Sequence, residues 1–71
     1  MTVYQLMVVN LFGKEEMMME FDAEEVDEEW VIAEARKLCD SYPRVFIFYG
    51  EPTQFGVAAG RALEIRKETV E

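Results

Sequence analysis

The sequence contains no histidine. That removes the commonest general base, nucleophile activator and metal ligand. There is one cysteine, Cys39, so no internal disulfide can form. This agrees with a reducing compartment, and a cytoplasmic location is expected. Long apolar runs are missing too. The longest, "LMVV" and "VFIFY", fall far short of a membrane span. No basic residue precedes Lys14, so a secretory signal is not expected. Bases are almost absent from the first half: residues 1–35 hold ten acids and one base, against five acids and six bases in residues 36–71. The formal charge of -8 therefore belongs to the first half. An acidic half repels nucleic acid and anionic membrane. It attracts basic surfaces, including those that normally hold DNA or RNA.

What remains suffices for one small domain. The chain has 71 residues, of which 51% are hydrophobic. A single domain over residues 1–71 is expected, burying ~60% of its unfolded surface.

"VYQLMVVNLF" is rich in strand formers and "EEMMMEFD" alternates. Gly13-Lys14 between them suits a two-residue type II′ hairpin turn. That register sets Phe12 opposite Glu15, Val8 opposite Met19 and Leu6 opposite Phe21. Tyr4, Leu6, Val8, Met17, Met19 and Phe21 then share a core face. Met7, Val9, Leu11 and Met18 share the other, with Gln5, Glu16, Glu20 and Asp22. Asp27 follows as a helix N-cap, its side chain accepting from first-turn N–H groups. Val26 and Val31 occupy the staple positions, and Glu28 and Glu29 suit the helix dipole. Val31, Ala35, Leu38, Cys39 and Tyr42 form one apolar stripe. Pro43 ends the helix at about Ser41.

"RVFIFYG" reads as a strand apolar on both sides, with Val45, Ile47 and Tyr49 on one and Phe46 and Phe48 on the other. "EPTQFGVAAG" reads as a loop with a short extended piece around Phe55. "RALEIRKE" reads as a last strand with Leu63 and Ile65 inward, a helix being the alternative. The expected fold is α+β: a small antiparallel sheet with one helix on one face, in the order β-β-α-β-(β). One helix covers one face. The other is too apolar for a solvated surface, so either the C-terminal segment or a second chain covers it. Whether Met17 to Met19 are core or interface stays open.

Chemistry finds little support. Cys39 lies on the apolar stripe, where a thiolate is not expected. "DAEEVDEE", residues 22–29, has six carboxylates but no glycine at a sharp turn, and it runs into a helix. That does not match a calcium loop. "GVAAG" lacks the lysine and hydroxyl pair of a phosphate loop. Arg36, Lys37, Arg61, Arg66 and Lys67 offer at most a small basic patch, without the aromatic stripe of an RNA binder. No catalytic residue, metal or cofactor is expected, and no direct nucleic-acid or membrane contact.

The hairpin segment "LFGKEEM", with Phe12, Glu15 and Met17, and Trp30 opening the helix after an acidic stretch, resemble small phage-encoded antitoxins. These neutralise bacterial endoribonuclease toxins by direct binding. The order of hairpin, helix and further strand is similar as well. The resemblance covers the first half, and nothing from Tyr42 onward matches. It implies a protein inhibitor whose helix start and hairpin enter a toxin's basic cleft. More broadly, a short, acidic, histidine-free chain resembles phage anti-defence proteins, some of which imitate nucleic acid.

The expected function is therefore an acidic protein-binding inhibitor that occupies a basic surface of a host protein. Glu24, Glu25, Asp27, Glu28 and Glu29 supply charge and fast association, joined by Glu16, Glu20 and Asp22 on the hairpin. Trp30, Met7 and Met18 supply buried area. Trp30 has an alternative role, packing over the end of the hairpin. The alternative for the whole chain is a homodimeric accessory protein joined through its apolar sheet face.

Overall fold

Alternating apolar residues build the sheet in a computed structural model that describes residues 1–56 and 58–66. The elements are β1 (Val3–Val9), β2 (Glu15–Asp22), α1 (Glu28–Leu38), β3 (Arg44–Pro52) and β4 (Ala58–Ile65). The four strands form one antiparallel sheet in the order β2-β1-β3-β4. This is the α+β arrangement the sequence predicts, with the last segment a strand.

One face of the sheet receives α1. Leu6, Val8, Val31, Ala35 and Val45 are fully buried there, with Tyr4, Ile47 and Ile65 completing the core. Burying each larger aliphatic side chain contributes about 1.5–3 kcal/mol. The expected stripe on α1 holds, since Leu38, Cys39 and Tyr42 pack against this core beside Val31 and Ala35. Both staple valines, Val26 and Val31, also join it. The helix stops at Leu38 rather than near Ser41. The N–H groups of Ser41 and Tyr42 both donate to the Leu38 carbonyl, closing a turn before Pro43.

The hairpin register differs from expectation. Val9 pairs with Glu15 and Leu6 with Met19, and the pairing shifts between Leu6 and Met7. Residues 10–14 form the connection, in place of a two-residue turn. Asn10 organises it: its Oδ1 accepts from the N–H of Phe12 at 2.9 Å and of Lys14 at 3.1 Å. Gly13 supplies the positive φ of 80° that the loop requires. The register shift leaves Met18 as an extra residue, a bulge that inverts the side-chain alternation. Met17 therefore pairs with Met7 and leaves the expected core face, while Glu16 pairs with Val8 and leaves the open one.

β4 begins at Ala58, three residues inside the expected loop, and Phe55 lies in a turn between β3 and β4. Ile65 is buried as expected, but Leu63 is 44% exposed. Lys67 and the end of the expected last strand lie outside the described residues.

The open face is partly covered, and the cover is the β3–β4 connection. Gln5 is directed to this face and is completely buried. Its Nε2 donates to Glu20 at 2.8 Å and to the Gly56 carbonyl at 2.5 Å. Its Oε1 accepts from the N–H of Ala58 at 2.7 Å. In a flat sheet Ala58 would stand two strand spacings from β1, roughly 10 Å across. The end of the hairpin must therefore fold over β1, and both Val3 and Ala58 are buried. Gly50 and Gly60, directly paired across the ladder, permit this. A Cβ on Gly50 would overlap the Ala59 carbonyl oxygen, and one on Gly60 that of Tyr49.

Candidate functional site

The acidic segment leaves the end of β2 and enters α1. Asp22 closes the first turn through its Oδ1, which accepts from the N–H of Glu24 at 2.9 Å. The N–H of Glu25 donates to the Asp22 carbonyl at 3.0 Å. Asp27 stands at the N-cap with extended backbone, φ -86° and ψ 150°. Its carbonyl accepts the first helical bond from Val31 at 3.1 Å. Its side chain makes no capping bond, which corrects the expected role. Glu28 and Glu29 lie in the first turn, next to the positive end of the helix dipole.

The carboxylates then divide. Glu28 accepts from the Arg61 guanidinium, which reaches it from β4. The same guanidinium lies over the Tyr49 ring, 5.2 Å from its centroid. Tyr49 in turn meets Tyr4, with ring centroids 4.8 Å apart. Burial pushes the Tyr4 phenol above its ordinary pKa, and the Glu28 carboxylate adds to the effect. Glu20 is engaged by Gln5, and Asp22 by its own turn. Among the described residues, Glu24, Glu25 and Glu29 accept no side-chain hydrogen bond and form no ion pair.

Trp30 follows Glu29 in the first turn of α1. Its ring meets Phe21 of β2 edge-on, with centroids 5.0 Å apart, and 46% of the residue remains exposed. It therefore packs on the hairpin and still presents a surface.

Comparison with protein-family models, with curated proteins and with solved structures returned no match.

Met7 and Met18, the other two expected contact residues, are far from equivalent. Met7 lines a hollow of about 200 Å³ on the open face with Val9, Glu15, Phe46 and Phe48. Met18 is the bulge residue of β2, 39% exposed. Glu16 is exposed on the helix side of the same strand.

Two members of the expected basic patch are drawn to opposite ends of α1, and Lys67 lies outside the described residues. Arg61 pairs with Glu28 at the start of α1, whereas Lys37 pairs with Glu34 at 2.6 Å near its end. Arg44, at the start of β3, clamps Glu64 with two hydrogen bonds of 3.2 and 3.3 Å. The Arg44 hydrogen bond holds the Glu64 carboxyl below the usual range.

Among the described residues, no cluster of three or more histidine, cysteine, aspartate or glutamate side chains is placed to hold a metal ion. None of their helices is long and apolar enough to cross a membrane. Cys39 is half-buried, its Sγ 3.6 Å from the carbonyl oxygens of Ala35 and Ile65.

Two residues that position the site were missed from sequence. Gln5 gave a signal, being a lone amide within the apolar run of β1. Arg61 is legible in sequence only as a basic residue, because its pairing with Glu28 depends on where β4 runs past the start of α1.

Proposed function

We propose that this chain is a small acidic protein-binding antagonist. It occupies a basic surface of another protein, of the kind that otherwise holds nucleic acid. The observation that carries the reading is the set of unpaired carboxylates on Glu24, Glu25 and Glu29, in the acidic segment that leads into the half-exposed Trp30. Unpaired surface carboxylates accelerate encounter with a basic partner. A half-exposed tryptophan supplies the apolar anchor that such encounters need. Glu16 and Met18 extend the same surface along β2. Glu20, Asp22 and Glu28 support it, each held by its own intramolecular partner. The resemblance of the hairpin and of Trp30 to phage-encoded antitoxins makes a bacterial endoribonuclease toxin the first target to examine. The reading assigns the chain no catalytic step.

The test is affinity capture from a bacterial lysate, comparing the wild type with Glu24→Gln, Glu25→Gln and Glu29→Gln combined. The partner is then assayed for nucleic-acid binding with and without the chain. Loss of capture by the variant, and competition with nucleic acid by the wild type, support the reading. Equal capture by both refutes it.

A second reading rests on a different observation, the hollow lined by Met7, Val9, Phe46 and Phe48. In it, two copies meet through their open sheet faces in a non-catalytic accessory protein. Sedimentation equilibrium distinguishes the two. A dimer that Phe46→Glu dissociates favours the second reading, and a monomer at all concentrations removes it.

A further inference from the structure

We propose that β2 is a docking edge, to which an extended basic segment of a partner protein adds as a fifth strand along residues 19–22, beneath Trp30. This rests on the antagonist reading and names the element that makes the contact.

Three observations converge on that edge. β2 is the outermost strand, with β1 its ladder neighbour, so its outward N–H and C=O groups have no strand partner among the described residues. Such groups are a template for a further strand. α1 packs over β1, β3 and β4 and reaches β2 through Trp30, so the helix side of the edge is also accessible. Side-chain alternation then sorts chemistry by face. Glu20 and Asp22 pair with Gln5 and Val3 and share the open face. Met19 and Phe21 pair with Leu6 and Tyr4 on the helix face, where Trp30 stands.

An added strand therefore meets carboxylates on one side and apolar surface on the other. The complement is a segment that alternates lysine or arginine with apolar residues. The bulge at Met18 sets the limit of the site, because alternation inverts there: Glu15 and Met17 are on the open face and Glu16 on the helix face. The charge also selects the occupant. β2 carries Glu15, Glu16, Glu20 and Asp22 and no base, so pairing with a second copy lines like charges along one seam. The opposite edge, β4, makes no comparable offer, since it carries one base and one acid, Arg61 and Glu64, and no excess of either sign.

The experiment uses the full chain, labelled with ¹⁵N. It is titrated at low salt with a peptide of alternating lysine and valine, and with the same peptide methylated on alternate backbone nitrogens. The two probes share their side chains and charge, and only one can complete a ladder. The unmethylated peptide is expected to shift the amides of residues 19–22 and the Trp30 indole, and to slow exchange of the outward amides. The methylated peptide is expected to bind about tenfold more weakly, the loss of one or two net hydrogen bonds. Equal binding of both, or shifts confined to Glu24, Glu25 and Glu29, overturns strand addition and leaves the antagonist reading as a contact of charge alone. Protection of those amides by the chain's own self-association, without peptide, overturns it in favour of a second copy. No binding of either peptide also overturns it, the acids and bulge then serving only to keep the edge unpaired. Lysate capture decides the antagonist reading separately in each case.

Discussion

Ala58 donates its backbone N–H to Gln5 Oε1 at 2.7 Å, across 53 residues of sequence. With the bonds from Gln5 to Gly56 and Glu20, this contact ties the end of the β3–β4 hairpin to the middle of the sheet. It closes part of an otherwise open apolar face.

Replacing Gln5 with Leu keeps the volume and removes the bonds. The Ala58 N–H and the Gly56 carbonyl then lose their partner, at about 1–3 kcal/mol for each group that stays buried. Urea unfolding is expected to show a loss of that order. Amide exchange at Gly56 and Ala58 is expected to accelerate more than exchange in α1.

Gly60→Ala tests the fold of the hairpin directly. The added Cβ would overlap the Tyr49 carbonyl oxygen, so the ladder between β3 and β4 must open. A loss of about 1–3 kcal/mol is expected, the usual range for local backbone strain. Gly13→Ala is the control. Its φ is also positive, but nothing lies within 4 Å of the new Cβ. It is expected to cost about 1–2 kcal/mol from backbone conformation alone. Thermal unfolding of the two variants, with exchange at Ala58 as the local readout, separates them.

How much of this was legible in the sequence follows from the range of each interaction. The stripe on α1 and the two-sided alternation of β3 depend on spacing within one element, and both were readable. The hairpin register was not. Asn10 lengthened the loop through its own side chain, and the bulge at Met18 inverted the alternation of what precedes it. Met17 and Glu16 therefore exchanged faces. The cover over the open face was hidden for a similar reason. Gly50 and Gly60 acquire their meaning only once they are known to face each other across the ladder. At the acidic segment the helix start was legible and the ion pair was not, because Arg61 arrives from the far end of the chain.

That ion pair gives a contrast between neighbouring glutamates. Glu28→Gln breaks the contact with Arg61, and both side chains are substantially exposed. A stability loss below about 1 kcal/mol is expected, with capture of the partner unchanged. Glu29→Gln is expected to change stability by a few tenths of a kcal/mol, through the helix dipole alone. It is expected to weaken capture instead. Chemical denaturation and the capture assay, run on both variants, check the crossing pattern.

Stability is expected to fall at both ends of the pH scale. The Glu64 carboxyl titrates below its ordinary 4.5 because Arg44 donates to it. Its contribution is therefore complete above about pH 4.5 and is lost as pH falls through the folded value. The Tyr4 phenol titrates above its ordinary 10.0, mainly through burial. Its contribution is complete below about pH 10.0 and is lost as pH rises through the folded value. Urea midpoints measured across pH test both limbs. Arg44→Met should flatten the acid limb and leave the alkaline one.

In the proposed function, the unpaired carboxylates of Glu24, Glu25 and Glu29 bring this chain to a basic protein. The most direct measurement is the affinity of the captured complex as salt is raised, for the wild type and for the variant with Gln at residues 24, 25 and 29. A steep loss of wild-type affinity with salt is expected, with weaker binding and a flatter dependence for the variant. Equal affinity at low and high salt, in both proteins, would contradict it.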